Sequence, residues 1–144
     1  MKIAALLLYA FVGLGFTSLG VVYLATDEFM AYHADAVGSS WAQLDAGLQG
    51  LLLGLIRGLG AGAFSCGVAL IALSCLSWQK GVHHYRGVLA LIAIGFSSFL
   101  AYAMFTVYSM TPAEPPIWGG VMWLVASLTA AGCLLVSGPD RNDK

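Results

Sequence analysis

Apolar residues run almost unbroken through four stretches of this 144-residue chain, about Ile3 to Ala25, Gly50 to Leu76, Val88 to Met110 and Trp118 to Val136. A spanning helix needs roughly 20 mainly apolar residues to cross a bilayer's hydrocarbon, and each stretch qualifies. Lipid offers no partner to backbone N–H and C=O groups, so runs of this length predict helices. The second stretch stays apolar if followed back to Ala46, and its first turns are expected to project beyond the hydrocarbon or run along the surface. The first stretch, MKIAALLLYAFVGLGFTSLG, starts as a secretory signal does. It is longer than a signal's apolar core of about 7–15 residues and no A-x-A site follows, so it reads as an uncleaved span. The expected architecture is all-α: an integral membrane four-helix bundle in a single domain over 1–144, with an outer connection at 26–49.

Composition agrees with this pattern. Hydrophobic residues make up 60% of the chain and charged residues 9%, and mean hydropathy is +0.86, which cannot coat a soluble globule. Six Lys or Arg against seven Asp or Glu leave a formal charge of −1 with no polybasic run, and nucleic acid is set aside as a partner.

The placement of the basic residues predicts orientation. Lys2, Lys80, Arg86, Arg141 and Lys144 fall on one side, whereas the connections Thr26 to Asp45 and Thr111 to Ile117 contain no Lys or Arg. The positive-inside rule puts both termini and the loop QKGVHHYRG in the cytoplasm, and a bacterial inner membrane is the expected location. The other side carries Asp27, Glu28, Asp35, Asp45 and Glu114, while Trp78 and Trp118 mark span ends.

Gly50, Gly54, Gly58 and Gly62 recur every four residues, continued by Cys66. Such a row allows close backbone approach, a main source of helix attraction in lipid. The preferred reading packs span two against span one or four; a homodimer seam or a docking face for a partner's helix stays open. Arg57 is the only charged residue within a predicted span. Counting about 20 residues back from Trp78 puts it near the outer interface, where an ion pair or carbonyl clamp to the outer loop is preferred over ligand binding. Candidate partners are Asp27, Glu28, Asp35 and Asp45, together with Gln49, two turns back on a similar face.

The loop TDEFMAYHADAVGSSWAQLD mixes acids with Phe29, Met30, Tyr32, His33 and Trp41, predicting a compact cap or interfacial helix. Ser39 or Ser40 is a candidate cap for a helix starting near Trp41, with Asp45 reaching Arg57 from there. His33 with Asp35 is a weaker candidate for metal or proton handling; no metal site and no cofactor is expected. Cys66, Cys75 and Cys133, without CxxC spacing, read as small buried hydrophobes. Haem is disfavoured because His33, His83 and His84 fall in loops on opposite sides. Proton-coupled drug transport is disfavoured because no span contains Asp or Glu. His83 and His84, beside Lys80 and Arg86, suit anionic headgroups. TPAEPPIWGG predicts a stiff turn that aims span four. Ser97, Ser98, Thr106, Ser109, Ser127 and Thr129 either line a polar interior or bond helix carbonyls.

The run FMAYH, followed by Gly and Ser-Trp, then Leu-Asp, Gln49 and Arg57 among glycines, resembles small bacterial four-span proteins, broadly DoxX-like, as does TPAEPPIW. The resemblance covers nearly the whole chain. It implies a four-helix bundle, and in some relatives quinone-linked sulfur oxidation, for which no redox residue set carries over. The expected function is a non-catalytic accessory or scaffold protein in contact with membrane lipids, as a subunit of a larger complex. The alternatives are an outward-facing module for an anionic lipid or quinone centred on Arg57 and, last, a quinone-linked enzyme, which lacks an acid, base or metal set.

Overall fold

The computed structural model describes residues 1–80 and 84–137. Its helices are α1 (Lys2–Ala25), α2 (Ala31–Val37), α3 (Ala46–Lys80), α4 (Arg86–Met110) and α5 (Ile117–Val136), with a 3₁₀ turn at Trp41–Gln43. Four of them, α1, α3, α4 and α5, are long and apolar enough to cross a membrane, and the protein is an all-helical four-helix bundle. One end of the bundle carries residues 26–45 and the 111–116 turn and is called the cap end; the opposite end carries Lys2 and Arg86 and is called the basic end. His83, Arg141 and Lys144 lie outside the described residues.

Packing is organised around α1, which lies along both α3 and α5; α4 packs chiefly on α5 and meets α3 only lightly. The α1–α3 seam has a simple pattern. On α1, Leu6, Tyr9, Gly13, Phe16, Gly20 and Tyr23 are buried, and on α3 so are Gly60, Ala63, Gly67, Leu70, Ser74 and Ser77. Both sets step by three and four residues alternately, the heptad spacing of helices that cross at a shallow angle. Small residues at these steps let the backbones nearly touch. A Cβ on Gly20 would stand 2.5 Å from the Phe64 nitrogen and 2.7 Å from its Cα. One on Gly67 would stand 2.5 Å from the Thr17 nitrogen and 2.6 Å from the Gly13 carbonyl oxygen, and one on Gly60 2.8 Å from Tyr23 Cβ. The buried hydroxyls of Ser74 and Ser77 make no protein hydrogen bond, so these serines serve the seam through their size.

Elsewhere the core is filled by larger groups. Phe16 meets Phe96 edge-on at 4.9 Å and Trp123 at 5.5 Å, joining α1 to α4 and α5. Ser97 and Ser127 share a buried hydrogen bond of 3.2 Å between α4 and α5, and Ser127 also donates to the Trp123 carbonyl at 2.8 Å. Thr106 and Thr129 bond the carbonyls of Tyr102 and Val125, four residues back, the second of the two expected roles. Cys66 and Cys133 are partly buried, whereas Cys75 faces outward, against the reading of all three as buried hydrophobes.

The intramolecular reading of the row at 50, 54, 58 and 62 requires correction. Each step of four residues advances about 40° around the axis, so a straight helix cannot hold such a row against one neighbour. A Cβ on Gly50, Gly54 or Gly58 would meet nothing within 4 Å, while one on Gly62 would reach only Phe96 of α4, at 3.8 Å. The glycines that pack α3 within the chain are 60 and 67. Replacing Gly67 by Val should therefore destabilise the bundle by roughly 1–3 kcal/mol through overpacking, with a clear drop in detergent unfolding temperature, whereas Gly54→Ala should leave the isolated protein at least as stable as the parent.

Candidate functional site

α3 is 35 residues long and α1 is 24, about 52 Å against 36 Å. Gly20 against Phe64 and Tyr23 against Gly60 set their register, so α1 ends level with Arg57 and residues 46–56 of α3 stand beyond it. Around that projecting segment the chain builds its cap. Asp45 fixes the start of α3 by accepting from the Gly47 and Leu48 amides at 2.9 and 3.0 Å, which is N-capping at a helix end where the dipole favours a carboxylate. The helix expected near Trp41 is only the 3₁₀ turn, closed by Ser40, whose amide and hydroxyl both reach Gln43 Oε1 at 2.9 Å. Gln49 donates to the Trp41 carbonyl at 2.8 Å, and Trp41 stands edge-on to Phe29 at 5.1 Å. Gly38, with φ of 71°, ends α2 in the left-handed conformation that glycine adopts freely.

Arg57 is held by the loop that follows α1. Its Nη2 donates to Asp27 Oδ1 at 3.2 Å and to the Thr26 carbonyl at 3.4 Å. Exposure of the two side chains is 45% and 95%, so the pair is solvated and contributes little stability. Its geometric effect is to clamp the end of α1 to α3 at one level. Asp45 and Gln49 do not join it: Asp45 lies twelve residues, about 18 Å, up the same helix, and each has its own partner. The expected cluster of Arg57, Gln49, His33, Asp35 and Asp45 is thus dispersed into separate local contacts along the cap.

His33 has a different setting. Its Nδ1 accepts from the Met30 amide at 3.1 Å, its ring stacks obliquely on Tyr32 at 4.0 Å, and Tyr32 shares a 2.7 Å hydroxyl contact with Tyr23 of α1. Burial holds the His33 imidazole below its ordinary pKa of 6.5 by disfavouring the charged ring. Burial, and then the Tyr23 contact, push the Tyr32 phenol upward. Asp35, two residues on and about 200° round the helix, is exposed and makes no bond to His33. The His33 ring lines an apolar crevice of about 240 Å³ between the cap, Tyr23 and residues 52–59 of α3. Arg57 is not part of it. Sequence reasoning missed this crevice; the signal was His33 within FMAYH facing the leucine-rich start of α3.

On its other face α3 is open. Gly50, Gly54, Gly58, Ala61 and Ser65 are all exposed in a line, flanked by Leu51 at 60% exposure. Tyr102, Phe105, Tyr108 and Trp118 are exposed around the cap ends of α4 and α5, and Trp78 at the basic end of α3, as membrane-interface aromatics are. Among the described residues no group of His, Cys, Asp and Glu converges as a metal site, and His84 sits at the opposite end from His33. No protein family, curated protein or solved structure matches the chain.

Two outcomes follow from the cap. Mutual coupling of Asp27→Asn and Arg57→Ala, read from a double-mutant cycle of thermal unfolding in detergent, should stay below about 1 kcal/mol. Above pH 6.5 His33 is neutral whether the cap is formed or not, and its bond to Met30 is intact. As pH falls below that value the opened cap takes up a proton that the closed cap resists, so stability is lost toward acid. Hydrogen exchange of amides 30–37, corrected for intrinsic rate, should accelerate from pH 7 to about pH 5, while α1 amides keep their protection; equal change in both would contradict the assignment.

Proposed function

We propose that this multi-pass membrane protein is a non-catalytic scaffold subunit of a larger complex in a bacterial inner membrane, with both termini in the cytoplasm, and that it binds a partner's helix on the open face of α3, at the membrane interface where α3 overshoots α1. One observation supports this reading above others: a Cβ placed on Gly50, Gly54 or Gly58 meets nothing, although the same helix buries glycines 60 and 67 against α1. Glycine in a helix interior costs roughly 1 kcal/mol relative to alanine. That cost is offset where a second backbone approaches closely; α1 provides such an approach to Gly60 and Gly67 and ends level with Arg57, so Gly58, and Gly50 and Gly54 in the stretch beyond, have none within the chain. A different subunit fits the open face better than a second copy. Parallel self-association would bring two Arg57 guanidiniums together beside the two-fold axis, because Arg57 borders this stripe. A DoxX-like architecture accords with this reading and supplies no mechanism.

Gly54→Leu and Gly58→Leu should abolish copurification of the partner from gently extracted membranes while insertion and the unfolding temperature of the isolated chain stay unchanged. Undiminished copurification with both leucines present would refute the docking face.

A further inference from the structure

The crevice beneath the cap stands apart from the proposed scaffold face and has a chemistry of its own. A neutral imidazole has one donor and one acceptor nitrogen. In His33 the acceptor is Nδ1, occupied by the Met30 amide, which fixes the remaining proton on Nε2. No protein group among the described residues accepts that proton. The rest of the wall is mainly apolar, formed by Phe29 and Ala36 of the cap and by Leu52, Leu55, Ile56 and Leu59 of α3, and the hydroxyl of Tyr23, which also lines it, is shared with Tyr32. A phosphate or carboxylate would be stranded there without a countercharge, whereas an uncharged oxygen acceptor would complete the open donor of His33. Leu55, 63% exposed, and Val37, 41% exposed, stand at the mouth. That mouth lies level with Arg57 and the end of α1, where hydrocarbon gives way to headgroups.

We infer that this crevice takes a membrane amphiphile bearing an uncharged carbonyl oxygen on an apolar chain, the oxygen accepting from Nε2–H of His33 and the chain running along Leu55 and Leu59. Two sources share this chemistry: the glycerol ester of a diacyl phospholipid and the ring ketone of an alkyl quinone.

The test uses the full chain, delipidated in detergent and offered an equimolar mixture of diester phosphatidylglycerol, its dialkyl ether analogue, which lacks the carbonyls, and decyl-benzoquinone, with retention read by native mass spectrometry. The parent should retain the diester or the quinone about fivefold over the ether, the worth of one hydrogen bond. Preference for the diester assigns the ester source and preference for the quinone assigns the ketone. His33→Asn keeps an acceptor for the Met30 amide but removes the Nε2 donor, and should erase the preference. His33→Gln returns an N–H near the Nε2 position and should restore most of it. Ala36→Phe, which leaves His33 and its cap bond in place and fills the crevice, should abolish retention even if the His33 variants are unstable. Equal retention of ester, ether and quinone by the parent, or an unaltered preference in His33→Asn or Ala36→Phe, overturns the inference.

Discussion

In lipid, apolar side chains gain nothing by leaving their surroundings, so helices adhere through how closely their backbones fit. The seam of Gly13 and Gly20 with Gly60 and Gly67 is where this chain meets that constraint. A single added Cβ at position 20 or 67 would lie within 2.5 Å of a backbone nitrogen across the seam, so no rotamer change in a neighbour could relieve it. Because α1 also carries Phe16 into the centre of α4 and α5, the seam fixes the helix on which the other two are assembled. The light contact between α3 and α4 follows: each is held to the bundle through a different neighbour.

The register of that seam also builds the cap. With Tyr23 level with Gly60, the longer α3 must overshoot α1, and an overshoot rich in leucine would be exposed at the interface without cover. Residues 26–45 provide it, tied to α1 by Tyr23 with Tyr32, to α3 by Gln49 with Trp41, and to both by Arg57 with Asp27. Each tie is weak alone, being neutral or largely solvated. Together with Phe29, buried against Trp41, they set the cap's position over the crevice.

The four spans were legible in the sequence because length and apolarity are local properties, and the early start of α3 at Ala46 was visible in the same way. Which glycines pack was not. The eye finds Gly50, Gly54, Gly58 and Gly62 because equal steps of four are conspicuous, but heptad spacing is what keeps a face against one neighbour. That signal was present as a seven-residue step repeated on two helices, Gly13 to Gly20 and Gly60 to Gly67. That Arg57 meets the outer connection could be expected from its distance to Trp78, yet its choice of Asp27 over Asp35 or Asp45 depended on the inter-helix register. Asp45, adjacent to a helix start, had a nearer use as its cap. His33 drew attention for Asp35 beside it, although two residues along a helix point nearly opposite ways.

The two glycine sets on α3 therefore belong to different tasks, and the division is a matter of angle. A helix can keep a 3-4 spaced set against α1 over its whole length, because that spacing drifts little. A four-spaced set starting at Gly50 swings through about 120° by Gly62, so its far end turns toward α4 while Gly50, Gly54 and Gly58 stay outward. Fold stability accounts for 60 and 67 alone. The helix penalty at 50, 54 and 58 is uncompensated within this chain, and the compensation that glycine allows and alanine obstructs is another backbone at close range.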